Sequence, residues 1–328
     1  MKSKLLVLEL WGLGDLAIAT PFLCASSEQF EVFLLAKPYA LDLQKRLWPA
    51  VTVIPFKAPW TVFRGKYRLP KWPWLELFKL LRRLRSEKFN YAVSARWDPR
   101  ENLFLRCTGA KHRIGFPRLR SELLLTRTVH RLAPLAHRYD DWWVVSQELG
   151  FPLPRRRELP APPPHQGAFI LLHSGAAQPV RVWPLDRCQR LAQRLRDAGW
   201  PVQIACDPGQ LEWWMSQGER QVVVPHDIAS LFDLFTKAST FIGNDSGPGH
   251  LAAIAGVPTF TIFGPQWPEW FLPLHPEAEW IDGKSCPFKQ CFDYCRFPSP
   301  HCLWNVTEEE VWQKVHIFVQ KHPPALYK

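Results

Sequence analysis

The strongest chemical signal in the sequence is a glycine-rich turn between a short apolar run and a helix. It reads Gly243-Asn-Asp-Ser-Gly-Pro-Gly-His250. Amides of Ser246, Gly247 and Gly249 at a helix start would form a nest for an anion, and His250 could donate to the same oxygens. The acid, hydroxyl and imidazole exceed what a simple turn requires. We therefore predict a phosphate-binding loop that has no Walker lysine.

A second glycine turn follows the apolar run 5–10. Gly12, Gly14 and Ala17 match the dinucleotide spacing Gly-x-Gly-x-x-Gly/Ala, which would suit a nicotinamide-dependent oxidoreductase. That motif also needs an acid about 20 residues later, where this chain has Ala36-Lys37. Asp15 would stand where the cofactor phosphate belongs. Its spacing alone favours a helix cap over a catalytic group.

Four cysteines crowd the C-terminal region in the pattern Cys286-x4-Cys291-x3-Cys295-x6-Cys302. Four thiols within this length could close on a structural Zn or Fe ion. Free thiols are an equal alternative, and disulfides are less favoured in a reducing cytosol.

Tryptophan and basic residues dominate the segment 57–88, which contains Trp60, Trp72 and Trp74. It ends in a helix whose apolar face carries Leu77, Leu80, Leu81 and Leu84 and whose other face carries Lys79, Arg82 and Arg83. Such a helix could rest on an anionic membrane or pack its leucines on a sheet, and both can hold together.

Composition excludes several classes of protein. With 47% apolar and 22% charged residues, the 328-residue chain is not disordered, and its net charge of +11 favours polyanionic partners. No helix-turn-helix or ribonucleoprotein motif accompanies dispersed basic residues, so nucleic acid is not an expected partner. Charges or proline interrupt the longest apolar stretches, and the start does not fit a secretory signal, so we expect a cytoplasmic protein.

Strand and helix patterns alternate along the chain, stop at a proline-rich segment, and then restart. This predicts an α/β protein of two parallel-sheet domains. We place the domains at 1–151 and 167–306, joined by a linker at 152–166, with the cysteine-rich segment 286–302 in the second. A final helix within 307–328 could pack back on the N-terminal domain.

The loop 243–250 and the Ala252-Ala253, Gly256-Val-Pro258 and Phe263-Gly264 sequences that follow it resemble the signature of glycosyltransferase family nine, the ADP-heptose:lipopolysaccharide heptosyltransferase family. Segments that agree in order elsewhere are Leu13-Gly14-Asp15 with Thr20-Pro21, Gly109-Ala110 with Arg113-Ile-Gly-Phe116, and Trp183-Pro184. The similarity implies a GT-B architecture, with two Rossmann-like domains facing a central cleft. It also implies a donor site in the C-terminal domain and an acceptor site in the N-terminal one.

The resemblance further implies an inverting heptosyltransferase that needs no cofactor, with ADP-heptose as donor and a lipopolysaccharide-core or related glycan as acceptor. A protein acceptor is an alternative. Asp15 becomes the general base. The implied donor and phosphate ligands are Ser174, Arg181, Asp245, Ser246, Gly247, Pro248, Gly249 and His250, with Arg181 where the family usually has lysine. Candidates for the ribose are Asp207, Gln210 and Glu212, and those for an anionic, lipid-linked acceptor are Gly14, Arg64, Lys66, Arg68 and Lys71. The enzyme would work peripherally on the inner face of the inner membrane.

Overall fold

The structure is a computed structural model that describes residues 2–62, 68–160, 162, 166–291 and 294–325. The chain divides into two compact units, 1–158 and 159–328. The division lies inside the proline-rich segment 152–166. Arg64 and Lys66, two of the acceptor candidates, lie outside the described residues.

The first unit is one parallel sheet with helices between its strands. Its elements are β1 (Lys4–Glu9), α1 (Leu13–Gln29), β2 (Glu31–Ala36), α2 (Ala40–Leu47), β3 (Thr52–Pro55), α3 (Trp74–Ser86), β4 (Tyr91–Ser94), α4 (Pro99–Cys107), β5 (His112–Gly115), β6 (Arg127–Thr128) and α5 (Arg138–Leu149). The strand order is β3-β2-β1-β4-β5-β6. Leu5, Leu6, Val7 and Leu8 of β1 are wholly buried. An uninterrupted apolar run suits a strand covered on both faces by helices.

The second unit repeats this plan. Its elements are β7 (Phe169–His173), α6 (Leu185–Asp197), β8 (Val202–Ala205), α7 (Leu211–Ser216), β9 (Val222–Val223), α8 (Ile228–Phe235), β10 (Ala238–Asn244), α9 (Gly247–Ile254), β11 (Thr259–Phe263), α10 (Pro268–Phe271), β12 (Glu279–Asp282), α11 (His301–Trp304) and α12 (Glu308–Lys321). The order β12-β11-β10-β7-β8-β9 is the first unit's order written from the other edge. The predicted α/β class with two Rossmann-like sheets is confirmed.

Seven elements were not predicted from the sequence patterns. They are α4, α5, α10, α11, β5, β6 and β12. β5 has only Ile114 as a large apolar residue, and β6 is two residues long at the sheet edge, so neither forms a recognisable apolar run. Helix α5 contains adjacent Trp and Val pairs, which have weak helix preference.

Helix α12 begins at a capping box, in which Thr307 Oγ1 accepts from the Glu310 amide and the Glu310 carboxylate accepts from the Thr307 amide. Its apolar stripe, Val311, Val315 and Phe318, lies in the core of the second unit, where the helix contacts α6, β11 and β12. The apolar stripe of α12 therefore packs in the core of the second unit. Among the described residues, no helix is both long enough and apolar enough to cross a bilayer.

Candidate functional site

In each unit, the strand order reverses direction between two neighbouring strands, and ligands bind parallel α/β sheets outside the carboxyl ends at such points. In the first unit this point lies between β1 and β4, which are followed by Asp15 and Arg96. In the second it lies between β7 and β10, which are followed by Ser174 and Asp245. Three residues predicted from motifs, Asp15, Ser174 and Asp245, thus lie at the edges where chemistry is expected.

Asp15 lies in the first turn of α1, where its carboxylate contacts Gly12 and Arg96. Oδ2 accepts from the Gly12 amide at 3.2 Å, and Oδ1 forms an ion pair with the Arg96 guanidinium. The side chains of Asp15 and Arg96 remain 16% and 17% exposed. The same carboxylate therefore closes the helix terminus and presents an edge to solvent, so the cap and catalytic interpretations are compatible.

Two further carboxyl groups surround this pair. Trp11 donates its amide to Glu9 Oε1 at 3.4 Å, while the Trp11 indole and the Ser94 hydroxyl donate to Glu101. Burial raises the pKa of Glu9 to about 8, with a smaller upward contribution from the Asp15 charge. Burial also raises the pKa of Glu101 to about 7, although the Ser94 hydrogen bond opposes the shift. At neutral pH, these groups are held partly protonated around a charged Asp15–Arg96 pair.

Sequence motifs missed Arg96, Glu9 and Glu101. Arg96 lies over the Trp11 ring at 5.0 Å from its centroid, and the charges of Asp15, Glu9 and Glu101 all favour its protonated form. Arg96 lies next to Asp15 because β4 pairs with β1, and this pairing is not evident from the sequence. A useful sequence signal would have been a lone arginine two residues after an apolar strand.

The glycine turn of the first unit does not suit a dinucleotide. Glu9 and Asp15 both accept hydrogen bonds from amides of the turn 11–12, where a pyrophosphate would have to bind. Lys37, after β2, occupies the position at which a ribose would need an acid, and burial lowers its pKa. The carboxylates at the position of the phosphates would repel them, and Lys37 at the position of the ribose cannot accept its hydroxyl hydrogen bonds. Both features disfavour NAD binding.

In the second unit, Asn244 ties together the loops that follow β7 and β10. Its Nδ2 donates to the Ser174 carbonyl at 2.8 Å, and its Oδ1 accepts from the Trp183 amide at 3.0 Å. These bonds fix the Trp183-Pro184 sequence beside the turn that begins α9. Asn244 of the glycine-rich motif and Trp183-Pro184 thus have a structural role, because they hold the predicted phosphate loop in position.

Asp245 and Arg181 form an ion pair at the start of this turn. Arg181 Nη1 lies 3.3 Å from Asp245 Oδ2, and the Asp245 side chain is only 3% exposed. Within the described part of the chain, two buried donors nearby, Arg181 Nε and Ser246 Oγ, have no hydrogen-bond partner. Unsatisfied buried donors are costly, and an anion bound here would supply the missing acceptors.

Residues Gly247 to His250 form the first turn of α9, with extended Ser246 as its N-cap. The Gly249 amide donates to the Ser246 carbonyl at 3.2 Å, so this amide is used inside the turn, contrary to the expected nest. Pro248 has no amide hydrogen. The candidate nest is thereby reduced to the amides of Ser246 and Gly247, and the His250 side chain is buried.

Ser174 is wholly buried, and its hydroxyl is engaged. It donates to Gln210 Oε1 at 2.9 Å and accepts from the Trp214 indole at 3.0 Å. Gln210 in turn donates to the Ser174 carbonyl at 3.2 Å. These two candidates therefore hold each other in place.

Asp207 follows β8, the strand next to β7, and lies against Gly175. A Cβ atom at position 175 would come within 2.4 Å of the Asp207 carboxylate, which explains why glycine is needed there. Glu212, on α7, is exposed. Of the three ribose candidates, Asp207 is the acid at the end of the second strand, the position that holds a ribose in Rossmann-type sheets.

The described acceptor candidates differ in environment. Arg68 and Lys71 are exposed at a short 3₁₀ turn, Leu69–Lys71, whereas Gly14 is half-buried beside Asp15 in α1. Of the described acceptor candidates, only Gly14 therefore belongs to the first turn of α1, beside Asp15.

All eight cysteines are thiols. Cys302 is buried, and Cys286, Cys291 and Cys295 are half-buried. Within the ranges that the structure describes, which include all four, no group of three or more His, Cys, Asp or Glu side chains is arranged to hold a metal ion. The structural-metal interpretation is therefore not supported.

Two Rossmann-like units with the same strand order, each with candidate site residues at its switch point, give a GT-B type fold. The model of glycosyltransferase family 9 (heptosyltransferase) matches residues 77–298, and the chain belongs to this family.

Individual relatives agree with this assignment. Lipopolysaccharide heptosyltransferase 1 of Pseudomonas aeruginosa is 26% identical over 188 residues, and the match covers 51% of this chain and 48% of that protein, about half its length. A family 9 glycosyltransferase from Veillonella parvula superposes with a TM-score of 0.76 at 17% identity, covering 98% of both chains. The E. coli ADP-heptose lipopolysaccharide heptosyltransferase II superposes with a TM-score of 0.70 at 18% identity, covering 98% of this chain and 99% of that one.

Proposed function

We propose that this protein transfers heptose from ADP-heptose to a lipopolysaccharide-core or related glycan acceptor, with inversion at the anomeric carbon. Membership of family 9 supports the reaction class. The name of the E. coli relative supports ADP-heptose as donor.

Asp15 is the proposed general base. As the anomeric carbon–oxygen bond to ADP breaks, the acceptor hydroxyl attacks the opposite face of the sugar and its proton passes to the Asp15 carboxylate. Such a base need accept the proton only late in an oxocarbenium-like transition state, so position matters more than basicity. The hydrogen bond from Gly12 and the ion pair with Arg96 provide that position.

The departing diphosphate gains negative charge, which the loop 244–250 is proposed to stabilise. Arg181 Nε, Ser246 Oγ and the amides at the N-terminus of α9 would donate to its oxygens, with His250 assisting. Since these donors meet the charge, we propose that transfer requires no metal ion.

Asp207 is proposed to bind the ribose hydroxyls. It follows β8 and lies beside Gly175 in the loop after β7. Gln210 acts indirectly, because its amide holds the Ser174 hydroxyl and carbonyl.

The acceptor is proposed to be an anionic, lipid-linked glycan that approaches the first unit, with Gly14, Arg68 and Lys71 among its contacts. Arg64 and Lys66 remain candidates from the sequence. Such an acceptor places the enzyme in the cytoplasm, peripherally on the inner membrane.

One observation carries the proposal: two buried donors without partners, Arg181 Nε and Ser246 Oγ, stand at the N-terminus of α9. Calorimetric titration of the full chain with ADP-heptose, ADP and NAD tests it. We expect binding of the two adenosine diphosphate ligands and much weaker binding of NAD. Tight NAD binding without ADP binding would reverse the assignment in favour of an oxidoreductase.

A further inference from the structure

Large apolar side chains are exposed at the beginning of α3 and in the 3₁₀ turn before it. Leu69, Trp74, Leu75 and Phe78 are each between 51% and 65% exposed. The Trp74 indole donates to the Leu69 carbonyl at 2.9 Å, which holds this ring at the surface. Exposed apolar residues scattered singly are ordinary, but a contiguous group indicates an interaction surface.

The core does not account for these four residues. One face of α3 supplies Leu77, Leu80 and Leu81, which pack against the first unit's core, and Leu84, which is wholly buried. The leucine stripe in the sequence is therefore the core-facing side. Leu75 and Phe78 project on another side of the same helix and have no core function.

Positive charge surrounds these apolar residues. Helix α3 carries Lys79, Arg82, Arg83 and Arg85 against a single acid, Glu76. Lys71 lies just before the helix and, like these four basic residues, is exposed. Basic residues interleaved with Trp, Phe and Leu suit the boundary between anionic lipid headgroups and acyl chains. Protein interfaces, by contrast, are depleted of lysine in their apolar cores.

We propose that this surface, defined by Leu69, Trp74, Leu75 and Phe78 and termed the α3 surface, docks on an anionic lipid bilayer. Its apolar side chains enter the headgroup region, and its Lys and Arg side chains pair with lipid phosphates. The role of docking rests on the proposed function, since it would deliver a lipid-linked acceptor to the unit that carries Asp15.

Flotation of the full chain with lipid vesicles tests this docking. We expect the protein to float with vesicles of phosphatidylglycerol and phosphatidylcholine, to bind phosphatidylcholine vesicles weakly, and to lose binding as salt rises. The double variant Leu75→Ser/Phe78→Ser and the charge reversal Arg82→Glu should each reduce binding by about tenfold or more.

The matched control is Ile317→Ser, which changes an exposed apolar residue of the second unit and should float as the wild type does. Circular dichroism and thermal unfolding establish that each variant is folded. Equal flotation of the wild type and the folded Leu75→Ser/Phe78→Ser variant would overturn the docking proposal. The proposal would also be overturned if the wild type is a dimer that does not float with vesicles and the Leu75→Ser/Phe78→Ser variant is a monomer. The surface would then be an interface between two copies of the chain.

A water-soluble assay separates this inference from the proposed function. Transfer from ADP-heptose to deacylated lipopolysaccharide core should be unchanged in Leu75→Ser/Phe78→Ser, while transfer to the vesicle-bound acceptor falls. Absence of transfer to either acceptor by the wild type, with normal flotation, would reject the proposed function and leave the docking surface intact.

Discussion

The carboxylate of Asp15 is ion-paired with the guanidinium of Arg96, although Asp15 lies in α1 and Arg96 on the loop between β4 and α4. The pair forms because β1 and β4 are neighbours in the sheet. A base already bonded to a cation is weak but precisely oriented, which suits proton transfer late in a displacement. This pair is the origin of the first two predictions.

Asp15→Asn should retain ADP-heptose binding but lose turnover by about 10²- to 10⁴-fold. The amide is nearly isosteric with the carboxylate but cannot accept the proton. Steady-state ADP release and calorimetry measure the two effects separately. Asp42→Asn is the matched control, because Asp42 also stands in the first turn of a helix, α2. Unchanged turnover in Asp15→Asn would reduce Asp15 to a helix cap.

Arg96→Gln should lower the free energy of unfolding by about 3 kcal/mol, because Glu9, Asp15 and Glu101 would share a buried region without this cation. Urea unfolding measures the loss. Arg100→Gln breaks the more exposed pair with Asp98 and should cost less than about 1 kcal/mol.

Adding Glu9→Gln to the Arg96→Gln variant should recover part of that loss, because one of the buried acids is removed. Strict additivity of Glu9→Gln and Arg96→Gln would show that Arg96 does not stabilise the carboxyl cluster.

The fold was predictable because its main strands are apolar runs followed by turns. The segment 5–10 predicts β1 and the loop that follows it, and the motif 243–250 predicts the end of β10 and the start of α9. Asp15, Arg181 and Asp245 were predicted as site residues from local motifs and from the family resemblance. Arg96 and Glu101 were not, because their role depends on which strands are neighbours, a non-local property.

The motif also could not reveal how the amides of the α9 turn are used. The Gly249 amide bonds within the turn, a matter of backbone geometry that glycine spacing does not specify. Similarly, the α3 leucine stripe predicted the core face but not the exposure of Leu75 and Phe78.

The contribution of Glu9 and Glu101 to the free energy of unfolding should fall as pH rises from about 4.5 to about 8. Glu9 and Glu101 have pKa values of about 8 and about 7 in the folded protein, against 4.5 as the usual value. The folded state therefore binds more protons than the unfolded state in this window, and the stabilisation present below pH 4.5 is lost as pH passes the folded values.

Urea unfolding across this pH range measures the effect. Glu9→Gln should flatten the curve above pH 7 and leave the decline due to Glu101, whereas Glu28→Gln, at an exposed position, should follow the wild type. A Glu9→Gln curve parallel to the wild type throughout would contradict the assignment to Glu9.

Arg181→Ala and His250→Ala should each weaken ADP binding by about 10-fold or more and slow transfer further. Each removes a donor proposed to meet the diphosphate, and hydrogen bonds to charged groups contribute about 1.5–3 kcal/mol. Arg181→Lys should fall between the alanine variant and the wild type, because it keeps the charge but loses the planar fork that spans Asp245 and a phosphate.

Arg190→Ala, which removes an exposed pair with Asp186 on α6, is the control and should bind ADP normally. Calorimetry at fixed salt compares the variants. The transfer defect should exceed the binding defect because charge on the diphosphate grows as the glycosidic bond breaks. Equal defects in binding and transfer would indicate that these residues hold the donor without stabilising its departure, and normal ADP affinity in both alanine variants would remove the phosphate site from this loop.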